Sequence, residues 1–185
     1  IVGFLGAGKT TLLKHLIRSC LKSEWSPFII LNDHANASLE IQQFDRWIEK
    51  RYLKALNGSC ICCSGISELR DFVNNIPERN RGITLIEANG TSDACSLMGF
   101  LGVGIDNRFF PPIQVSVADL VNWQNRGEYN ELEANQIQMS SLIVLTHTEN
   151  ISKKREEDVR KELHALNPTA QLTTMKKIDV LSLYG

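Results

Sequence analysis

The chain has 185 residues, of which 43% are hydrophobic and 22% charged, and its formal net charge at pH 7 is -1. These values predict one globular domain with its own core, and the balanced charge argues against a general binder of nucleic acid. The sequence holds no signal peptide and no run of the ~20 apolar residues that a membrane-spanning helix needs, so we expect a cytoplasmic protein without a membrane partner.

The predicted elements alternate between strands and helices. After Ile1 and Val2, which fit the end of a strand, they are a helix at 9–20, a strand at 27–32, an ambiguous segment at 38–56, a helix at 66–76, a strand at 82–87, a helix at 91–100, strands at 112–118 and 141–146, and a helix at 152–166. Strands that alternate with helices predict an α/β fold, in which helices cover both faces of a mainly parallel β-sheet.

The stretch GFLGAGKTT at 3–11 fits the pattern G-x-x-x-x-G-K-[ST] of a phosphate-binding loop, or P-loop, and lies between a predicted strand and a predicted helix as that loop must. The fold is therefore predicted to be the three-layer sandwich of P-loop NTPases. We expect Lys9 to reach the β- and γ-phosphates and the hydroxyl of Thr10 to ligate Mg²⁺. The predicted nucleotide contacts in this loop are Gly6, Ala7, Gly8, Lys9, Thr10 and Thr11.

A P-loop protein also needs an acidic side chain near the metal, at the end of another strand. Glu87 ends the predicted strand at 82–87, where its carboxylate would support Mg²⁺ or the attacking water. Gly90 would let the backbone approach the γ-phosphate, because glycine has no side chain in the way. Asp119 ends another predicted strand and is a weaker candidate for the acidic role. The predicted catalytic set is Lys9, Thr10 and Glu87.

Three thiols crowd into the stretch NGSCICCSG at 57–65. Cysteines one or two positions apart rarely reach the geometry of a disulfide without strain, and a reducing compartment also argues against one. Thiolates at this density suit Zn²⁺, Cu(I) or, less tightly, Co²⁺, and three sulfurs leave one position of a tetrahedral zinc site for another ligand. A metal site is favoured, while a disulfide and a redox switch remain open. The separate cysteines Cys20 and Cys95 are interpreted as buried packing residues.

The P-loop and the thiols together resemble the CobW family of metallochaperone GTPases. The resemblance covers essentially the whole chain, through GFLGAGKTTLLKHL, FIILND, NGSCICC, LIEANG, VNWQNRGE, SLIVLTHTE and ALNPTAQL. It implies that 1–185 is one P-loop GTPase domain and that a smaller C-terminal domain, absent from this chain, would begin where it stops. It also implies a client metalloprotein that receives the metal. The metal ligands that it implies are Cys60, Cys62, Cys63 and Asp33, with His34 as a further candidate.

Several residues depart from the pattern of that family. Its base-reading motif is [NT]-K-x-D, whereas this sequence has Thr146, His147, Thr148 and Glu149. Thr146, His147 and Glu149 are still expected beside the base: the histidine would stack on the purine, and the glutamate would accept two hydrogen bonds from guanine. Because the longer side chain shifts the carboxylate, selectivity for GTP over ATP is expected to be relaxed. Smaller departures are Ser59, Ala88, Asn89 and Asp33.

These features predict a metal chaperone that hydrolyses GTP slowly and couples its nucleotide state to the binding and release of a transition metal. The thiols lie between the P-loop and the Glu87 strand, where P-loop GTPases keep nucleotide-sensing switches. The expected cofactors are GTP, Mg²⁺ and Zn²⁺ (or Co²⁺), and a homodimer could share the metal site. Two other functions remain open, which are a nucleotide-binding redox or metal sensor without significant turnover and a small-molecule kinase.

Overall fold

The computed structural model describes residues 1–32, 42–44, 46–56 and 65–183. Its strands are β1 (Ser26–Leu31), β2 (Leu53–Ala55), β3 (Gly82–Glu87), β4 (Val115–Asp119), β5 (Leu142–Thr146) and β6 (Gln171–Thr174). Its α-helices are α1 (Lys9–Lys22), α2 (Gly65–Asn74), α3 (Ala94–Leu101), α4 (Asn130–Gln138) and α5 (Lys153–Leu166). Short 3₁₀ helices lie at Lys50–Tyr52, Gly127–Tyr129, Thr148–Asn150 and Leu181–Leu183. Within the described ranges, no helix combines the length and the apolar character needed to cross a membrane.

The strands form two parallel sheets, and residues 1–2 lie between them. The strand orders are β2-β1-β3 and β4-β5-β6. On one side the amide of Ala88 donates to the carbonyl of Ile1 at 2.9 Å, and on the other the amide of Val117 donates to the carbonyl of Val2 at 2.8 Å. The chain therefore enters the glycine-rich loop from between two parallel sheets whose strands all end at one edge. The predicted α/β fold with a mainly parallel sheet is confirmed.

Helices cover both faces of the sheets, because alternate residues of a strand point to opposite sides. Ile29 and Leu31 of β1 belong to the buried cluster that contains Leu16 of α1. Ile30 points the other way and belongs to the cluster that contains Leu69 of α2. A third buried cluster joins β5 to α5 through Ile143, Leu145, Val159 and Leu163. This layering holds the P-loop end of α1 firmly above the carboxyl edge of the sheet.

Two elements, α4 and β6, were not predicted from the sequence. The buried residues of α4 are Glu133, Gln136 and Ile137, so two of the three are polar. The helix consequently lacks the apolar spacing by which an amphipathic helix is recognised. β6 is an edge strand of partly exposed residues with the sequence QLTT, which gives no alternating apolar pattern either. α4 is held largely by polar contacts and β6 by its pairing with β5, and a sequence pattern reveals neither.

Some element boundaries differ from the predicted ones for local reasons. α3 begins at Ala94 rather than at 91, because the carboxylate of Asp93 accepts the amide of Cys95 at 3.0 Å and caps the helix. β4 begins at Val115 rather than at 112, after two prolines that cannot donate to a sheet. Within the ambiguous segment 38–56, β2 provides the predicted strand, and the remainder falls partly outside the described residues.

The two separate cysteines differ in exposure. Cys20 lies on the buried face of α1, as predicted. Cys95 is exposed in the first turn of α3, so the prediction that it is buried is wrong. The neighbouring Ala94 and Leu97 take the core-facing positions of this turn instead.

Candidate nucleotide-binding site

The glycine-rich loop turns tightly between the sheet and α1. Gly3 has a φ of 152°, and a Cβ there would lie 2.7 Å from the carbonyl oxygen of Val117, so a larger residue would collide with β4. Gly8, at the N-cap of α1, has a φ of 103°. The first turn of the helix has no side-chain cap and no acidic residue. Its amides and their partial positive charge are therefore available to an anion such as a phosphate.

The three predicted catalytic residues meet at the start of α1. Lys9 is buried, and its Nζ donates to the carbonyl of Phe4 at 3.2 Å. The hydroxyl of Thr10 donates to Oε1 of Glu87 at 2.7 Å, although the two residues are 77 positions apart in sequence. Glu87 is itself buried at the end of β3. A hydroxyl beside a carboxylate gives the hard oxygen donors that Mg²⁺ prefers, so these residues fit that ion.

The segment after Glu87 packs directly against the P-loop. A Cβ at Gly90 would lie 2.8 Å from the backbone nitrogen of Leu5, which is too close for any side chain. From the other side, Nε2 of Gln136 in α4 donates to the carbonyls of Gly90 at 3.0 Å and Ser92 at 3.1 Å. Gln136 was missed in the sequence because a lone glutamine in a polar stretch carries no motif.

The predicted base-reading residues lie at the end of β5. Thr146 is buried, and its hydroxyl donates to the carbonyl of Ala7 at 2.8 Å and to that of Ala118 at 3.3 Å. This residue therefore ties the P-loop to the ends of β4 and β5. The positions that follow Thr146 turn sharply, since His147 adopts the left-handed conformation with a φ of 55°.

His147 and Glu149 present polar groups beside this turn. Nδ1 of His147 lies 2.9 Å from Oδ1 of Asp119, a contact that fixes the imidazole ring. Glu149 is exposed in the 3₁₀ helix Thr148–Asn150. Hydrogen bonds from its own backbone amide and from the hydroxyl of Thr148 lower the pKa of Glu149. Its carboxylate is consequently an ionised hydrogen-bond acceptor at neutral pH.

Asp119 is buried next to the predicted base-reading residues and accepts several hydrogen bonds. Its side chain is 2% exposed and accepts from the amide of Val121 at 3.0 Å, from the side chain of Asn122 at 2.7 Å and from Arg126 at 3.3 Å. Burial alone would raise the pKa of Asp119, but the hydrogen bonds from Asn122 and His147 outweigh it and the net shift is downward. The register pairs Asp119 with Thr146, so this weaker candidate for the acidic role lies next to the predicted base-reading residues.

Arg126 connects Asp119 to the P-loop, a role that no sequence motif indicated. Its guanidinium also pairs with Glu133 of α4 at 3.2 Å and stacks 4.9 Å from the ring centroid of Phe4. Tyr129 contacts the same ring at 5.6 Å between centroids. Phe4 belongs to the P-loop, so α4 and the turn that precedes it support the loop through these contacts.

The predicted transition-metal ligands Asp33, Cys60, Cys62 and Cys63, with the further candidate His34, lie outside the described residues. Within the described part of the chain, no group of three or more His, Cys, Asp or Glu side chains is placed to hold a metal. The described backbone includes the residue that precedes each of these two stretches, which is Asn32 for the first and Leu56 for the second. The amide of Asn32 donates to the carbonyl of Glu87 at 3.0 Å, and the amide of Leu56 donates to that of Leu31 at 2.9 Å.

A tight glycine loop before a helix, a buried lysine and a threonine paired with a strand-end carboxylate define a P-loop nucleotide-binding protein. The comparison with protein families gives the same class. Residues 1–174 match the CobW/HypB/UreG nucleotide-binding domain, and the chain belongs to that family. The resemblance to the CobW family is thereby confirmed.

Two known proteins are similar to the chain. It is 26% identical over 189 aligned positions to the zinc chaperone YjiA of Escherichia coli (strain K12), a match that covers 97% of this chain and 57% of that protein. The chain thus spans little more than half the length of this relative. Its fold is similar to that of the hydrogenase maturation factor HypB from Archaeoglobus fulgidus, with a TM-score of 0.54 and 15% identity over 98% of this chain and 80% of that one.

Proposed function

We propose that this protein is a GTP-binding metal chaperone that hydrolyses GTP slowly and couples its nucleotide state to the binding and release of a transition metal. The observation that carries the proposal is the contact of Thr10 with Glu87 beside the P-loop, at the edge where β1 also ends. Membership of the CobW/HypB/UreG family supports the nucleotide part. Similarity to a protein named as a zinc chaperone supports zinc as the metal.

In this proposal Lys9 binds the phosphates, while Thr10 and Glu87 hold Mg²⁺ or orient the attacking water. When bound, Mg²⁺ neutralises the charge that develops on the phosphate oxygens. Slow turnover is expected because the nearby carboxylates have other partners: Glu87 accepts from Thr10, and Asp119 accepts from Asn122 and Arg126. A chaperone needs one hydrolysis event per delivery, so an efficient general base is unnecessary.

The metal part of the proposal assigns the cargo to Cys60, Cys62, Cys63 and Asp33. One residue, Asn32, separates β1 from the stretch that begins at position 33. One residue, Leu56, separates β2 from the stretch that begins at position 57. Because parallel strands place their carboxyl ends at one edge, Asn32 and Leu56, the last described residues before these stretches, lie at the edge where Glu87 ends β3. A metal held there would respond to the nucleotide, and the metal would affect nucleotide affinity in return.

GTP is the proposed nucleotide, with Glu149 as the acceptor for guanine. Its ionised carboxylate has the two oxygens that a bidentate contact requires, and the fixed ring of His147 would stack on the purine. The expected partner is a client metalloprotein in the cytoplasm that receives the metal. Residues 1–185 form the GTPase domain in this proposal, and dimerisation through the metal site belongs to it as well.

The test is the Zn²⁺ affinity of the protein, measured by chelator competition with a non-hydrolysable GTP analogue and again with GDP. We expect the two affinities to differ at least about fivefold, within the ~1–3 kcal/mol usual for coupling between sites. Cys62→Ala should abolish tight binding, whereas Cys95→Ala, which removes an exposed thiol outside the motif, should leave it unchanged. Equal Zn²⁺ affinities with both nucleotides would contradict coupled release and favour a sensor or a structural zinc site.

A further inference from the structure

The buried side chain of Gln136 lies behind the segment that connects β3 to α3. This residue of α4 is 1% exposed, and its Nε2 uses both hydrogens on the carbonyls of Gly90 and Ser92. Its Oε1 is buried and has no hydrogen-bond partner within the described part of the chain. An unmet buried acceptor costs free energy, so the favourable contribution of this amide comes from its donor group.

The main chain of Gln136 is anchored as firmly as its side chain. Its carbonyl accepts from Nε2 of Gln114 at 2.6 Å and from the hydroxyl of Ser116 at 2.8 Å. The hydroxyl of Ser140, one turn further along the chain, donates to that of Ser116 at 2.6 Å. These residues are all buried, so α4 is bound to β4 by a polar network that fixes where the Gln136 amide stands.

The front of the same segment faces the phosphate-binding loop. Gly90 lies so close to Leu5 that no Cβ could be accommodated. The carbonyl of Gly90 points at Gln136, and the N–H and C=O of a trans peptide point in opposite directions, so the amide of Thr91 points away from α4. In this structure Oδ1 of Asn89 accepts that amide at 3.1 Å. A phosphate oxygen could take the place of Oδ1 as its acceptor.

We infer that Gln136 is a positioning residue for the triphosphate. It holds the carbonyls of Gly90 and Ser92 against α4, and this fixes the backbone of the segment at the distance from the P-loop that the γ-phosphate requires. The inference rests on the proposed nucleotide binding and adds to it the residue that sets the preference between triphosphate and diphosphate. The Gln136 amide donates only to backbone carbonyls of this segment. Gln136 therefore acts through the backbone at Gly90 and Thr91 and does not itself touch the nucleotide.

The test compares Gln136→Met with Gln138→Met, using the affinities of each protein for a non-hydrolysable GTP analogue and for GDP in the presence of Mg²⁺. Methionine keeps the length of glutamine and removes the donor. Gln138 is exposed on the same helix, so its replacement is a matched control. We expect the ratio of analogue affinity to GDP affinity to fall at least about fivefold in Gln136→Met, with GDP affinity unchanged, and to stay at the wild-type value in Gln138→Met.

A second variant protects the test against misfolding. Gln136→Glu keeps the shape of the side chain and places oxygen where Nε2 was, so above neutral pH it should lower the same ratio at least as strongly. Melting temperatures identify any variant that fails to fold. A wild-type ratio in a folded Gln136→Met or Gln136→Glu, or an equal loss of affinity for both nucleotides, would overturn the inference. A wild-type protein that binds neither nucleotide would instead overturn the proposed function, and this inference would fall with it.

Discussion

The hydroxyl of Thr146, at the end of β5, donates a 2.8 Å hydrogen bond to the carbonyl of Ala7 in the phosphate-binding loop. The same hydroxyl reaches the carbonyl of Ala118 at the end of β4. One buried side chain therefore ties the loop to both neighbouring strands. The glycine-rich loop and the strand end that carries the predicted base-reading residues are connected through this residue.

We expect Thr146→Val to weaken GDP binding about fivefold, which corresponds to the ~1 kcal/mol net value of one hydrogen bond. Valine preserves the branched shape of the buried side chain and removes only the donor, so the P-loop loses its tie without a cavity. Isothermal titration of GDP into both proteins measures the effect. Thr173→Val makes the same exchange in β6 and should leave GDP affinity unchanged. Unchanged GDP affinity in Thr146→Val would show that the tie does not support the loop.

Glu87→Gln should remove most of the contribution of Mg²⁺ to triphosphate binding. Glutamine can still accept the hydrogen bond of Thr10, but it brings no negative charge to the metal. We expect the gain in affinity for a non-hydrolysable GTP analogue on adding Mg²⁺, relative to excess EDTA, to shrink at least about tenfold, or ~1.4 kcal/mol.

The control for this comparison is Glu131→Gln, which removes an exposed carboxylate from α4. It should keep the full dependence on Mg²⁺. If Glu87→Gln gains as much affinity from Mg²⁺ as the wild type does, Glu87 is not part of the magnesium site.

The contact of Thr10 with Glu87 illustrates what the sequence could predict. The P-loop pattern identifies Thr10, and the end of an apolar strand identifies Glu87. Local sequence patterns were therefore sufficient to predict that the two residues belong to one site. Gln136 and Arg126 could not be found in this way. Their roles depend on α4, whose buried residues are largely polar, and on partners such as Phe4 and Gly90 that are distant in sequence. Hydrophobic periodicity does not reveal a helix whose buried residues are largely polar.

Asp119 should make the stability of the protein depend on pH. The native pKa of Asp119 lies below its ordinary value of 3.8, so its ionised form stabilises the fold above that pH. This stabilisation is lost as the pH falls through the native pKa. We expect Asp119→Asn to lower the free energy of unfolding by about 1–3 kcal/mol at neutral pH, because bonds to Asn122, His147 and Arg126 lose their charged partner.

Urea denaturation at about pH 7, 5 and 3 measures this dependence, and the difference between the two proteins should narrow only at the lowest pH. Asp71→Asn, in an exposed position of α2, should show no such change. A difference between wild type and Asp119→Asn that is constant across the whole range would contradict the assignment.

The two separate cysteines should react with a thiol reagent at very different rates in the native protein. Burial raises the pKa of the Cys20 thiol to about 11, so little thiolate forms at pH 8, and the surrounding core also excludes the reagent. Cys95 is exposed at the start of α3 and should be alkylated by iodoacetamide roughly a hundredfold faster. Peptide-level mass spectrometry over a time course gives both rates. In concentrated urea the two alkylation rates should converge, because their difference comes from the fold. Equal rates in the native protein would show that Cys20 is not in the core.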